Sequence, residues 1–155
     1  MTMPTSVLQV MEAHPSFYQR TGESAATIAA AEAALGAPLP AEHVELLAAG
    51  AGAIAGAESQ LYFFEARELA LFAVPPNAYV GLAGMILFGH NGGDYLYFYD
   101  PAGELGRGSW AIFMIGMPAA HGAPAMARES AWYVAPDLRQ LVERILSGQA
   151  MEDGP

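Results

Sequence analysis

Apolar residues recur every three or four positions near both ends of this chain, and every second position or continuously between them. The first pattern predicts helices and the second strands. Over Ala25 to Leu35, Ile28, Ala31 and Leu35 share one face; Ser24 stands at the cap, and Gly36 with Pro38 ends the helix. Pro40 suits the first turn of a second helix, with Glu42 near its positive end, Val44, Leu46 and Leu47 inward, and Gly50 as the stop. Behind Pro136, Leu138, Leu141, Val142 and Ile145 form the apolar stripe of a last helix that Gly148 closes. In between, strands are predicted at 60–64, 84–89, 95–100, 109–116 and 130–135, with one helical turn after 64 and loops at 74–79 and 118–127.

Helices, then strands joined by tight turns, then a helix imply an α+β domain: an antiparallel sheet of about 4–6 strands with helices packed on one face. The domain spans 24–148, preceded by an extension (1–23) with a possible short helix at Val7, Val10 and Met11, and followed by a frayed tail (149–155). The expected core includes Ile28, Leu35, Leu47, Leu87, Phe88, Phe98, Ile112, Leu141 and Ile145.

The stretch NGGDYLYFYD (91–100) combines a turn signal with an aromatic strand. Asn-Gly and Gly-Gly supply the positive φ angles of a hairpin turn, in which Asp94 is expected to bond local amides while His90 faces solvent. Alternation then sends Leu96 and Phe98 to the core and Tyr95, Tyr97 and Tyr99 to the opposite face. That face is either an open binding surface or is covered by a helix or loop.

Composition narrows the chemistry. There is no cysteine, hence no disulfide or thiolate metal site. The chain is 54% hydrophobic, largely through alanine, yet its longest apolar runs fall short of the ~18 residues of a membrane span. No basic segment precedes an apolar block at the N-terminus, so the expectation is a soluble, cytoplasmic protein with no membrane partner. The net charge is −10, and residues 21–106 hold ten acids against one arginine, a balance of −9. Lysine is absent altogether, which disfavours nucleic acid, since phosphate contacts need cations. An acidic middle can instead steer a basic protein partner.

No catalytic, cofactor-binding or metal site is predicted. His14, His43, His90 and His121 match no metal-ligand spacing, and His90 with Asp94 and Asp100 reads as turn chemistry rather than an acid–base pair. GHNGG has no lysine or following helix to make a phosphate loop, and GAGAIAG follows a helix where a dinucleotide loop follows a strand.

Residues 27–52, TIAAAEAALGAPLPAEHVELLAAGAG, resemble the opening of the SMI1/KNR4 family of the SUKH superfamily, at Ile28, Glu32, Leu35, Gly36, Leu39, Pro40, Glu42, Leu47 and the glycines after it. The resemblance continues through Ile86, Leu87 and Phe88, the turn Gly92-Gly93-Asp94, the aromatic strand ending at Asp100, and the closing helix DLRQLVERIL, covering about 24–148. Ala51, where the family often has Asn, and the long 118–127 segment depart from its pattern. The resemblance implies a non-enzymatic protein-binding domain. Many bacterial members are thought to be immunity proteins that neutralise a toxin, often a nuclease; others are standalone regulatory scaffolds. A small hydrolase is the third reading. Charge and the alternating tyrosines nominate Glu65, Glu68, Asp94, Tyr95, Tyr97 and Glu104 as the surface that contacts a basic partner.

Overall fold

The computed structural model describes residues 5–152. Its elements are α1 (Val7–Glu12), β1 (Tyr18–Gln19), α2 (Ala25–Leu35), α3 (Ala41–Ala49), β2 (Ala51–Ala55), β3 (Gln60–Phe63), α4 (Ala66–Leu71), a 3-10 turn (Val80–Leu82), β4 (Ile86–His90), β5 (Tyr95–Asp100), β6 (Ala111–Gly116), α5 (Met117–Ala120), α6 (Pro124–Ser130), β7 (Trp132–Ala135) and α7 (Leu138–Leu146). The sheet is antiparallel throughout and its seven strands lie in chain order. The α+β architecture is the expected one, with more strands than expected. The two extra strands, β1 and β2, escape prediction because one has only two residues and the other is Ala-Gly-Ala-Ile-Ala.

The caps form where polar side chains and glycines permit. Ser24 accepts the Thr27 amide, Ser6 makes a capping box with Gln9, and Asp137 accepts the Gln140 amide. Gly50 ends α3 in the left-handed region (φ 77), and a Cβ there would stand 2.1 Å from the Arg20 carbonyl oxygen. Glycine thus lets the 18–22 segment run alongside α3 and pair with β2, which accounts for part of the glycine run that superficially suggested a nucleotide loop.

Eight of the nine expected core residues are buried; Leu35 is half-buried at the edge of a groove. One face of the sheet presents Ile54, Leu61, Phe63, Phe88, Tyr97, Tyr99, Ile112 and Met114 to α1, α3 and α7. The other face is not bare. The 118–127 segment, expected as a loop, forms most of α5 and α6, and with the 3-10 turn it packs on this face at β6, where Leu82, Met85 and Ala127 line a narrow gap with Phe98. Helices therefore lie on both faces, and β5 is buried on both.

Double burial requires that every polar atom of β5 find a partner. The Tyr97 hydroxyl donates to the Gln60 carbonyl at 3.1 Å, and the Tyr99 hydroxyl meets His43 Nδ1 at 2.8 Å. His43 is fully buried among Phe63, Phe88 and Tyr99, each in edge contact with its ring. Burial lowers its pKa from 6.5 to about 4. Asp100 is also fully buried, and its two carboxylate oxygens accept the amides of Glu104 (3.0 Å) and Leu105 (2.8 Å), folding the β5–β6 turn back on itself.

Residues 149–152, expected as part of a frayed tail, are docked instead. Met151 is buried, its amide donates to Ser59 Oγ at 2.6 Å, and its carbonyl accepts the Trp132 indole N–H at 2.8 Å. The rest of the expected tail, 153–155, lies outside the described residues.

Two outcomes follow from the buried polar pair. The unfolded chain protonates His43 near 6.5 and the folded chain near 4, so the unfolded state binds more protons in between and stability falls as pH falls through that window. Measured by urea unfolding, the stability difference between the parent and His43→Leu shrinks by on the order of 3 kcal/mol from pH 7 to pH 4. Asp100→Ala strands two part-buried amides and costs about 2 kcal/mol, while Asp100→Asn, which keeps one acceptor, costs less.

Candidate functional site

The layer of α5, α6 and the 3-10 turn covers only the β4–β6 half of its face. Strands β1 to β3 stay open there, because α4, the helix that follows β3, packs against α2 and β4 and only borders this face. Register places Tyr18, Ala53, Tyr62 and His90 in one row across the four strands β1 to β4. Beside this row is a cleft of about 510 Å³, walled by Arg20 near β1 and by Phe64 and Glu68 toward α4. Tyr18 is 61% exposed and Tyr62 39%. No other large aromatics are as open among the described residues.

The floor is ordered by stacking. Tyr62 and His90 lie parallel, 5.1 Å apart and 5° from coplanar, and His90 in turn meets Phe64 at 5.8 Å. From there the aromatic contacts run on through Phe72 and Tyr79 to His121. Tyr62 faces outward because its neighbours Leu61 and Phe63, one residue either side, are buried on the face under α1, α3 and α7.

His90 is held by its own turn. The Gly92 amide donates to His90 Nδ1 at 2.9 Å, and Asn91 Oδ1 accepts the amides of Gly93 and Tyr95. The turn chemistry expected of Asp94 is thus performed by His90 and Asn91, and the Asp94 side chain is exposed. With Nδ1 accepting, the neutral ring carries its hydrogen on Nε2. Burial lowers the His90 pKa, against an upward pull from the Glu68 carboxylate, which keeps the ring neutral at neutral pH.

The six nominated residues do not form one patch. Glu65 and Glu68 sit at the start of α4, where they make a reciprocal capping box, and Glu68 lines the cleft. Asp94 belongs to the β4–β5 turn, whose Gly92 abuts the Tyr62 ring. Glu104 stands beyond the other end of β5, about 20 Å of strand away, paired with Arg128 at 2.7 Å. Tyr95 is half-buried against Trp132 on the helical face. Tyr97 is fully buried, and burial with the nearby Glu152 charge raises its phenol pKa well above the usual range. It is core, not interface: the second face that alternation assigned to the tyrosines is the one under α1, α3 and α7.

The open cleft instead holds Tyr18, Tyr62 and His90. Tyr62 had a signal, since alternation in Gln60–Phe63 sets it opposite Leu61 and Phe63. Tyr18 had none, because a two-residue strand has no periodicity.

All six arginines are engaged. Arg20 pairs with Glu65 at 3.8 Å, Arg67 with Glu65 at 4.0 Å, Arg128 with Glu104 and Arg139 with Glu143. Arg107 lies over the Tyr133 ring, and Arg144 donates to the Val134 carbonyl. Glu68, Glu58 and Asp94 have no cation within ion-pair distance among the described residues. No three His, Asp or Glu side chains converge as metal ligands among the described residues. His90 and Asp100 stand at opposite ends of the β4–β5 hairpin, and both Asp100 oxygens are committed to backbone amides, so no acid–base pair is assembled there. His14 and Ser16 touch at 2.8 Å, but Ser16 Oγ is held by the Ala55 amide and His14 Nδ1 by the Ser16 amide, a local turn. No helix among the described residues is long and apolar enough to cross a membrane.

No curated protein matches the chain. The family model for SMI1 / KNR4 (SUKH-1) matches residues 22–144, from just before α2 to well inside α7. That span takes in the open cleft from β2 onward, the buried aromatic strand and the helical layers, and the chain belongs to the SMI1/KNR4 (SUKH-1) family.

Proposed function

We propose that this protein is a non-enzymatic binding protein of the immunity type, which occupies and blocks a basic bacterial toxin domain, such as a nuclease, through the open cleft on β1–β4. One observation carries this reading. The cleft joins exposed aromatics, Tyr18 and Tyr62, to a carboxylate, Glu68, that no cation pairs among the described residues, on a chain with 16 acids against 6 arginines, all of them engaged. Interfaces use aromatic side chains as anchors and charges at the rim. Nuclease faces are basic because they bind phosphate, so a surface with surplus carboxylates complements them and speeds encounter. Membership of a family in which many bacterial proteins are thought to act as immunity proteins supports the same reading.

The test is co-expression with the product of the neighbouring gene, followed by growth and binding assays. The parent protects and forms a complex whose association slows as salt rises. The double variant Glu68→Gln with Asp94→Asn associates more slowly and with a shallower salt dependence. Tyr62→Ala leaves association nearly unchanged but accelerates dissociation, by on the order of 2 kcal/mol if the ring is a hot spot. If both variants bind and protect like the parent, the cleft is not the contact surface.

A further inference from the structure

The cleft has a more specific chemistry than acidity. Three features meet in it. The first is a flat π surface, the Tyr62 ring stacked on the His90 ring at 5.1 Å, with Tyr18 exposed on the same row across Ala53 and lining the same cleft. The second is one uncompensated carboxylate, Glu68. Its Oε1 accepts the Glu65 amide at 3.0 Å, which fixes the side chain on α4, while no other donor reaches its second oxygen and no cation pairs with it among the described residues. The third is Arg20, which shares the cleft wall but is satisfied by Glu65 and the Ala51 carbonyl, so it neutralises Glu65 and not Glu68.

A planar cation is the group that uses all three. A guanidinium stacks on an aromatic face and donates in its own plane to a carboxylate, whereas an ammonium is a compact, strongly hydrated point charge with no plane to match. Resting on the reading above, we propose that the cleft is an arginine socket: one arginine of the basic partner lies against Tyr62 and Tyr18 and donates to the open oxygen of Glu68. Groups facing the guest are Tyr18 and Arg20 from β1 and the residue after it, Tyr62 from β3, Phe64 and Glu65 between β3 and α4, Glu68 from α4, and His90 from β4.

The experiment needs no toxin. The full-length protein is titrated with Nα-acetyl-arginine methylamide, with the matching lysine compound, and with the citrulline compound, which keeps the shape of arginine and lacks its charge. Binding is read from NMR shifts of the Tyr62, Tyr18 and His90 ring signals. The arginine compound shifts all three; the lysine compound binds about threefold more weakly and the citrulline compound leaves the rings unmoved. Glu68→Gln and Tyr62→Ala each weaken arginine binding about threefold, and Glu143→Gln, on α7 and away from the cleft, leaves it unchanged. Because Glu68 is also part of a helix cap, Glu68→Asp serves as a second variant: it retains the charge, shortens the reach, and lowers arginine preference over lysine without loss of fold. Equal response to arginine and lysine, an unmoved Tyr62 signal, or full binding by Glu68→Gln overturns the socket. Failure to find a basic partner falls on the proposed function alone, since the titration reads the site without one.

Discussion

The fold depends on burying strand β5 from both sides. Tyr95–Asp100 reads Tyr-Leu-Tyr-Phe-Tyr-Asp, and from Leu96 onward every residue is buried. Such a strand cannot face water on either side, so the chain must supply two layers. It must also satisfy two phenols and a carboxylate in the interior, where an unpaired polar group costs about 1–3 kcal/mol. The Gln60 carbonyl and His43 Nδ1 meet the phenols, and the amides of the next turn meet Asp100. These requirements fix α3 over Tyr99, β3 beside Tyr97, and the β5–β6 turn against its own strand. His43 Nε2 is left without a hydrogen-bond partner among three aromatic rings, which is why the neutral imidazole is the form the core accepts.

The second layer is short, and its shortness makes the site. The helices α5 and α6 follow directly from β6, and the 3-10 turn precedes β4, so both are tethered near the middle and far end of the sheet. A Cβ on Gly81 would lie 2.6 Å from the Ala127 Cβ, which shows how closely the two pieces interlock over Phe98. Nothing tethers them over β1–β3. The uncovered strands accordingly carry Ala53 and glycine on that side, with two tyrosines that tolerate half-exposure because one end is apolar and the other polar.

Charge then acts on this surface as a field rather than as pairs. The surface ion pairs are exposed and each contributes little to stability. Their consequence is electrostatic: with all the cations held by carbonyls, carboxylates or a ring, the surplus of acids is left unopposed around the sheet. Screening limits its reach to about 8 Å at physiological salt, so only acids close to the cleft shape what enters it. Glu68 meets that condition and Glu104, at the far end of β5 and already paired, does not.

How far the sequence was readable follows the same physics. Long periodic segments such as α7 and the continuous apolar strands were legible, because burial on one stripe or both faces dictates residue type over many positions. The Ala-rich β2 and the two-residue β1 were not: alanine has no preference strong enough to mark a strand, and pairing with β3 and the close approach at Gly50 decide their conformation from outside the segment. Tyr97 was misplaced for a related reason. Alternation states which residues share a face and is silent on what lies above that face, and here a helical layer lies above it. Glu68 was nominated by charge, but its place in the cleft with Tyr62 and His90 depends on α4 folding back beside β4, a contact between segments distant in the chain. Composition nominates acids and aromatics only as kinds; the register of four strands decides which of them meet.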